Sequence, residues 1–185
     1  MNSFFHSIKE YSADAFVADY TNQTNSKQGV CILETAPDDI YYFHLQNPRH
    51  IVYWGVNFEE NPSLFKGINQ CECMFVSKQA KKKGWICLVE LKYCKEKNIE
   101  INSESAFFQL KETLKYLIEK EVIDPKRHRI YLNVSIPEFS AREPFLSFMQ
   151  TQDEIIEQLQ ENKIQILGYN RVLIMNEAFI KIPKE

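Results

Sequence analysis

Hydrophobic positions along this chain fall into short runs of β-branched and aromatic residues separated by polar turn formers, with one long helical repeat among them. The spacing of Phe5, Ile8, Phe16 and Tyr20 predicts a first helix reaching to about Tyr20, closed by the polar stretch TNQTNSKQG. GVCILET, DIYYFHLQ and HIVYWGVNF then read as strands, bounded by APDD and NPR. QCECMFVS and WICLVELKY form a further pair around a lysine-rich loop. In NSESAFFQLKETLKYLIEKEV, the apolar residues Phe107, Leu110, Leu114, Leu117 and Ile118 recur at helical spacing, with Ser103 or Ser105 as the N-cap. RIYLNVSI is another strand, TQDEIIEQLQENK a second helix on the far side of it, and IQILGY and RVLIMN are late strands. This order predicts an α/β or α+β fold with a central mixed sheet flanked by helices.

Two charges interrupt the most apolar of these runs. Glu90 and Lys92 stand two residues apart in WICLVELKYC, where an isolated charge is costly to bury unless it is paired or holds a metal. If the two neighbouring strands make a hairpin around a symmetric Lys78–Gly84 loop, Glu72 lies opposite Glu90 with Cβ atoms roughly 4.5–5.5 Å apart. Alternation puts Lys92 on that face and Cys71, Cys73, Phe75, Cys87, Val89 and Leu91 on the other. Facing carboxylates repel unless positive charge lies between them, and hard ions such as Mg²⁺ prefer carboxylate and water oxygens. A metal held by Glu72, Glu90 and a nearby backbone carbonyl would activate water and stabilise a phosphoryl transition state, with Lys92 neutralising developing charge. The competing interpretation is a structural Glu–Lys arrangement on a solvent-facing strand.

Composition narrows the class without choosing between these. The 185 residues predict a single domain spanning 1–185, with 44% hydrophobic and 25% charged residues typical of a globular chain. No apolar run approaches the roughly 18 residues of a membrane helix. The N-terminus lacks a basic segment followed by a long apolar core, so a cytoplasmic location is the default expectation. The five cysteines fit neither a disulfide framework nor paired zinc ligands, and are expected to be reduced, buried small hydrophobes. A net charge of −3 provides no global attraction for nucleic acid. Local positive charge sits in KQAKKKG and DPKRHR, where the alternative is a solvated loop. His6, His44, His50 and His128 form no metal or nucleophile-base pattern, and no Gly-rich phosphate loop is present.

QCECMFV with Glu72, GWICLVELK with Glu90 and Lys92, the helix from Ser105, and RIYLNVSI together resemble the PD-(D/E)XK nuclease superfamily over roughly residues 68–136. That resemblance implies a restriction-endonuclease-like core, with Glu72 and Glu90 as ligands of Mg²⁺ or Mn²⁺ and Lys92 as the catalytic lysine. Gln109 occupies the place of a helix Gln found in some members, where it would touch a phosphate or the site lysine. The Tyr that accompanies it there is replaced by Thr113, the nearest Tyr being Tyr116. The literal Pro37–Asp38 reads as a turn, and Glu10 on the first helix is a further conceivable ligand.

The expected activity is metal-dependent hydrolysis of phosphodiesters, with DNA the expected substrate. Its backbone would be guided by Lys78, Lys81, Lys82 and Lys83, and by Arg127 and Arg129. The alternative is a non-catalytic, protein-binding or inhibitory protein on a nuclease-like fold. The oligomeric state stays open, a dimer being one option.

Overall fold

A strand buried on both faces needs cover from two sides, and the run Gly84–Leu91 is buried at every residue. The computed structural model, which describes residues 4–21, 29–78, 83–139 and 164–183, supplies that cover with a helix on one side and a second sheet on the other. In chain order the strands begin with β1 (Lys9–Tyr11), β2 (Ala15–Asp19), β3 (Val30–Leu33) and β4 (Phe43–Gln46). β5 (Tyr53–Asn57), β6 (Cys73–Ser77) and β7 (Gly84–Leu91) follow, then helix α1 (Ile99–Glu119). The chain continues through β8 (His128–Ser135), β9 (Ile164–Leu167), β10 (Arg171–Asn176) and β11 (Phe179–Lys181).

The larger sheet has the order β1-β5-β6-β7-β8-β9. β5, β6 and β7 form an antiparallel meander, while β8 lies parallel to β7 and β9 parallel to β8. The crossover through α1 is what permits the parallel β7–β8 pair. The smaller sheet, β11-β10-β4-β2-β3, is also mixed, because β4 and β10 run parallel. The fold is therefore α/β with two mixed sheets.

Met74, Val76, Ile86 and Leu88 face α1, where they meet Ala106, Leu110, Leu114 and Leu117. Phe75, Trp85, Cys87 and Val89 point the other way and pack on Val17, Phe43, Leu45 and Val172 of the smaller sheet. Packing of this face, more than intrinsic propensity, holds a helix of this kind. Among the described residues one face of the larger sheet carries a helix and the other a second sheet.

The first predicted helix is replaced by β1 and β2. Phe5 packs into the α1-side core, whereas Phe16 lies on the far face of the smaller sheet, stacked on His44 and edge-on to Tyr42. Their helical spacing therefore does not correspond to a shared face. AFVAD, buried throughout, is a central strand between β3 and β4. α1 begins at Ile99, earlier than the serine caps suggest. Ser103 lies inside it, its hydroxyl donating to the Ile99 carbonyl at 2.7 Å. α1 ends where Glu121 turns left-handed (φ 57°), with Val122 and Glu121 N–H donating back to the Leu117 and Ile118 carbonyls. The second predicted helix, TQDEIIEQLQENK, lies outside the described residues. No helix among the described residues is long and apolar enough to cross a membrane.

Candidate active site

The hairpin of β6 and β7 pairs Cys73 with Val89, Met74 with Leu88 and Phe75 with Cys87. The paired register ends at Cys73–Val89, and the Glu72 N–H donates to the Val89 carbonyl at 3.1 Å, so the ladder slips by one residue there and does not carry on to the expected Glu72–Glu90 pair. Alternation turns Glu90 toward the α1 side of the sheet, with Ile86 and Leu88. Cys73, Phe75, Cys87, Val89 and Leu91 line the opposite face as expected. Cys71 does not: it packs on the α1 side, its N–H held at 2.8 Å by the Thr113 hydroxyl. That hydroxyl in turn donates to the Gln109 carbonyl.

Glu90 is 0% exposed, which corrects the idea of a solvent-facing charge on this strand. Lys92 Nζ lies 2.7 Å from Glu90 Oε1 as an ion pair. Lys92 and the main-chain N–H of Glu72 are the donors that favour the charged form of Glu90. Lys92 Nζ also donates to Gln109 Oε1 at 2.6 Å, and Gln109 Nε2 donates to the Gln70 carbonyl at 3.0 Å. The Gln70 carbonyl can only accept, so it fixes the amide with its oxygen toward the ammonium. Gln109 thus reaches the site lysine, one of the two contacts its position suggested. Thr113 ties α1 to Cys71, and Tyr116 donates its hydroxyl to the Leu64 carbonyl, so one flank of α1 clamps the segment leading into Glu72.

The electrostatics of this cluster are short of positive charge. Burial raises the Glu72 carboxyl far above its ordinary value of 4.5, and the charge of Glu90 raises it further. Burial raises Glu90 too, while the Lys92 ammonium offsets part of that cost. Glu72 is therefore the acid that holds its proton to higher pH. A third carboxylate, Asp19 at the end of β2, pushes both upward. Sequence reasoning missed it because it comes from the smaller sheet. The signal was the same as for Glu90, a buried strand run ending in an acid, AFVAD. Asp19 is held by its N–H, which donates to the Tyr93 hydroxyl at 3.3 Å, and by Oδ1, which accepts from Thr21 N–H at 2.8 Å.

No group of three or more His, Cys, Asp and Glu converges tightly enough among the described residues to hold a metal by itself. Glu72 and Glu90, with a main-chain carbonyl, are the donors that would hold one. That donor set suits Mg²⁺ or Mn²⁺, since Mg²⁺ keeps several waters and commonly uses one or two carboxylates. The buried Glu90 carboxylate, with Glu72 and Asp19 adding negative charge that one ammonium does not balance, is the observation that fits such an ion.

The basic residues lie elsewhere. Gly84 pairs with His128 and Trp85 with Arg129, whereas Glu90 pairs with Val134. Lys83, Arg127 and Arg129 therefore sit where β7 and β8 begin, and Glu90 sits where they end. Five residues of strand separate these edges by about 17 Å. Lys78, at the same basic edge, is ion-paired with Glu10 and lies over the Trp54 ring. Glu10 belongs to β1 and not to a helix, and it faces Lys78 rather than the carboxylate pair. Lys81 and Lys82 lie outside the described residues. The structure therefore brings Glu72, Glu90, Lys92 and Gln109 to one edge and leaves Lys78, Lys83, Arg127 and Arg129 at the other. The five cysteines form no disulfide; Cys71, Cys73 and Cys87 are buried, and Cys31 and Cys94 are partly covered. Comparison with protein-family models, with curated proteins and with solved structures finds no match to this chain.

Proposed function

We propose that this chain is a metal-dependent nuclease hydrolysing phosphodiester bonds, with DNA the expected substrate, and that its core is restriction-endonuclease-like. The observation that carries this reading is the convergence of a fully buried Glu90 with Lys92 and Gln109 at one end of the strands, within electrostatic reach of Glu72. The order of an antiparallel meander, a crossover helix and a parallel strand supports it. A divalent cation held by Glu72 and Glu90 would supply charge neutralisation and an activated water. Lys92 places its ammonium beside that site, where it neutralises charge developing on a phosphate. Gln109 acts through Lys92, orienting the ammonium from the helix side. The basic edge does not serve this site directly. Both faces of the intervening sheet are covered, by α1 and by the smaller sheet, so phosphates bound near Lys83, Arg127 and Arg129 do not thereby reach Glu90.

A second reading, a non-catalytic protein on a similar fold, draws on the complete enclosure of Glu90 and on the negative charge of Asp19 beside it. Cleavage assays separate the two. Wild-type protein is expected to cut single- or double-stranded DNA with Mg²⁺ or Mn²⁺ and to stop on addition of EDTA. Glu90→Gln and Lys92→Ala should each lower the rate at least about a hundredfold. Absence of any metal-dependent cleavage of DNA or RNA would favour the non-catalytic reading. Equal cleavage by wild type and both variants would assign the activity to another source.

A further inference from the structure

The edge that holds Glu90 and Lys92 also carries a two-lobed groove outside the carboxylate cluster. One lobe, of about 440 Å³, lies between Tyr93–Lys95 and the Glu138–Phe139 pair that follows β8. The other, of about 600 Å³, is walled by the segment Pro37–Tyr42 and by Pro137. Tyr41 lines both lobes and stands between them.

Tyr41 is 60% exposed, yet its main chain is pinned, because its carbonyl accepts from the Tyr93 hydroxyl at 2.6 Å. An aromatic ring that is positioned but left uncovered has the attributes of a binding platform. The charge of the walls decides what it suits. Asp38 and Asp39 stand exposed on one side and Glu138 on the other, against Lys95 as the base among the described lining residues. Asp39 is oriented by the Tyr20 hydroxyl, which donates to Oδ1 at 3.0 Å. Three carboxylates along the two lobes that share Tyr41 repel phosphates and attract a planar cation. A guanidinium stacks on such a ring and pairs with carboxylates in the same plane, which an ammonium does less well.

We propose that this groove docks an arginine-bearing segment of a partner protein, with Tyr41 as the stacking platform and Asp38, Asp39 and Glu138 as its charge partners. This assignment is independent of the nuclease reading and stands whether or not the chain cleaves DNA. The test is fluorescence anisotropy of the full chain with a labelled arginine-rich peptide. A lysine-for-arginine peptide, an acidic peptide and a single-stranded oligonucleotide of similar length serve as comparisons. The arginine peptide should bind saturably and more tightly than the lysine peptide, and binding should weaken with salt. Tyr41→Ala and the pair Asp38→Asn with Asp39→Asn should each weaken it by at least about fivefold. Tyr41→Phe, which keeps the ring and the pinned carbonyl, should bind like wild type. Glu10→Gln, at the opposite edge, should also leave binding unchanged. Absence of saturable binding, or binding indifferent to Tyr41→Ala, would overturn the proposal. So would preferential capture of the oligonucleotide that is lost in Tyr41→Ala, since the occupant would then be a nucleic acid.

Discussion

Lys92→Met is expected to destabilise the metal-free protein by about 3–5 kcal/mol near pH 8, because it strands a buried carboxylate. Glu90 is fully enclosed and Lys92 is its ion-pair partner at 2.7 Å. With the ammonium gone, Glu90 folds only by holding a proton, and its carboxyl rises further above 4.5 than burial already lifts it. The sign follows from proton linkage. A folded state that keeps a proton the unfolded chain has released loses stability as pH rises. The variant should therefore approach wild type below the ordinary carboxylate value and fall progressively behind as pH climbs from there through neutrality. Urea denaturation of wild type and variant at acid and alkaline pH reads this directly. The double variant Glu90→Gln with Lys92→Met should recover most of the loss at alkaline pH, since it removes the stranded charge. An equal deficit at both pH values would mean that Lys92 matters only for packing.

Trp85→Ala should cost about 3–5 kcal/mol, with little dependence on pH. Trp85 is wholly buried where the two sheets meet. Its indole N–H donates to the Asn176 carbonyl of β10 at 3.0 Å, so the residue joins β7 to the smaller sheet by packing and by a hydrogen bond. Removing it leaves a cavity between layers that cannot close without moving a strand. Trp54→Ala is the control, since Trp54 is only half-buried, on the α1 side, with Lys78 over its ring. It should cost clearly less. A loss at Trp85 no larger than that at Trp54 would show that the two sheets do not share one core.

These two residues also mark what the sequence could and could not reveal. The β6–β7 hairpin was legible because two apolar runs flank one polar loop, and taking that loop as symmetric gives the register seen from Cys73–Val89 to Val76–Ile86. α1 was legible from its apolar repeat, and the reach of Gln109 to Lys92 is one of the two contacts that the family resemblance implied. The smaller sheet was not. Its strands β2, β4 and β10 are joined by long-range pairings, one of them parallel across most of the chain, and no local period records such contacts. For the same reason Asp19 escaped notice, although it bears on both carboxylates. Burial of Glu90 was equally hidden, because alternation predicts a face but not what covers it. Lys78 looked available for phosphate only until β1 brought Glu10 beside it.

In the proposed function, the partly buried Glu72 and the fully buried Glu90 share a divalent cation that completes their charge. Calorimetric titration of Mn²⁺ into the metal-free protein at about pH 7, in two buffers of different ionisation enthalpy, measures both binding and the protons it displaces. A single saturable site per chain, proton release on binding, and loss of both in Glu90→Gln are expected. Saturable binding with no proton release, binding that survives Glu90→Gln, or no binding at all would contradict it.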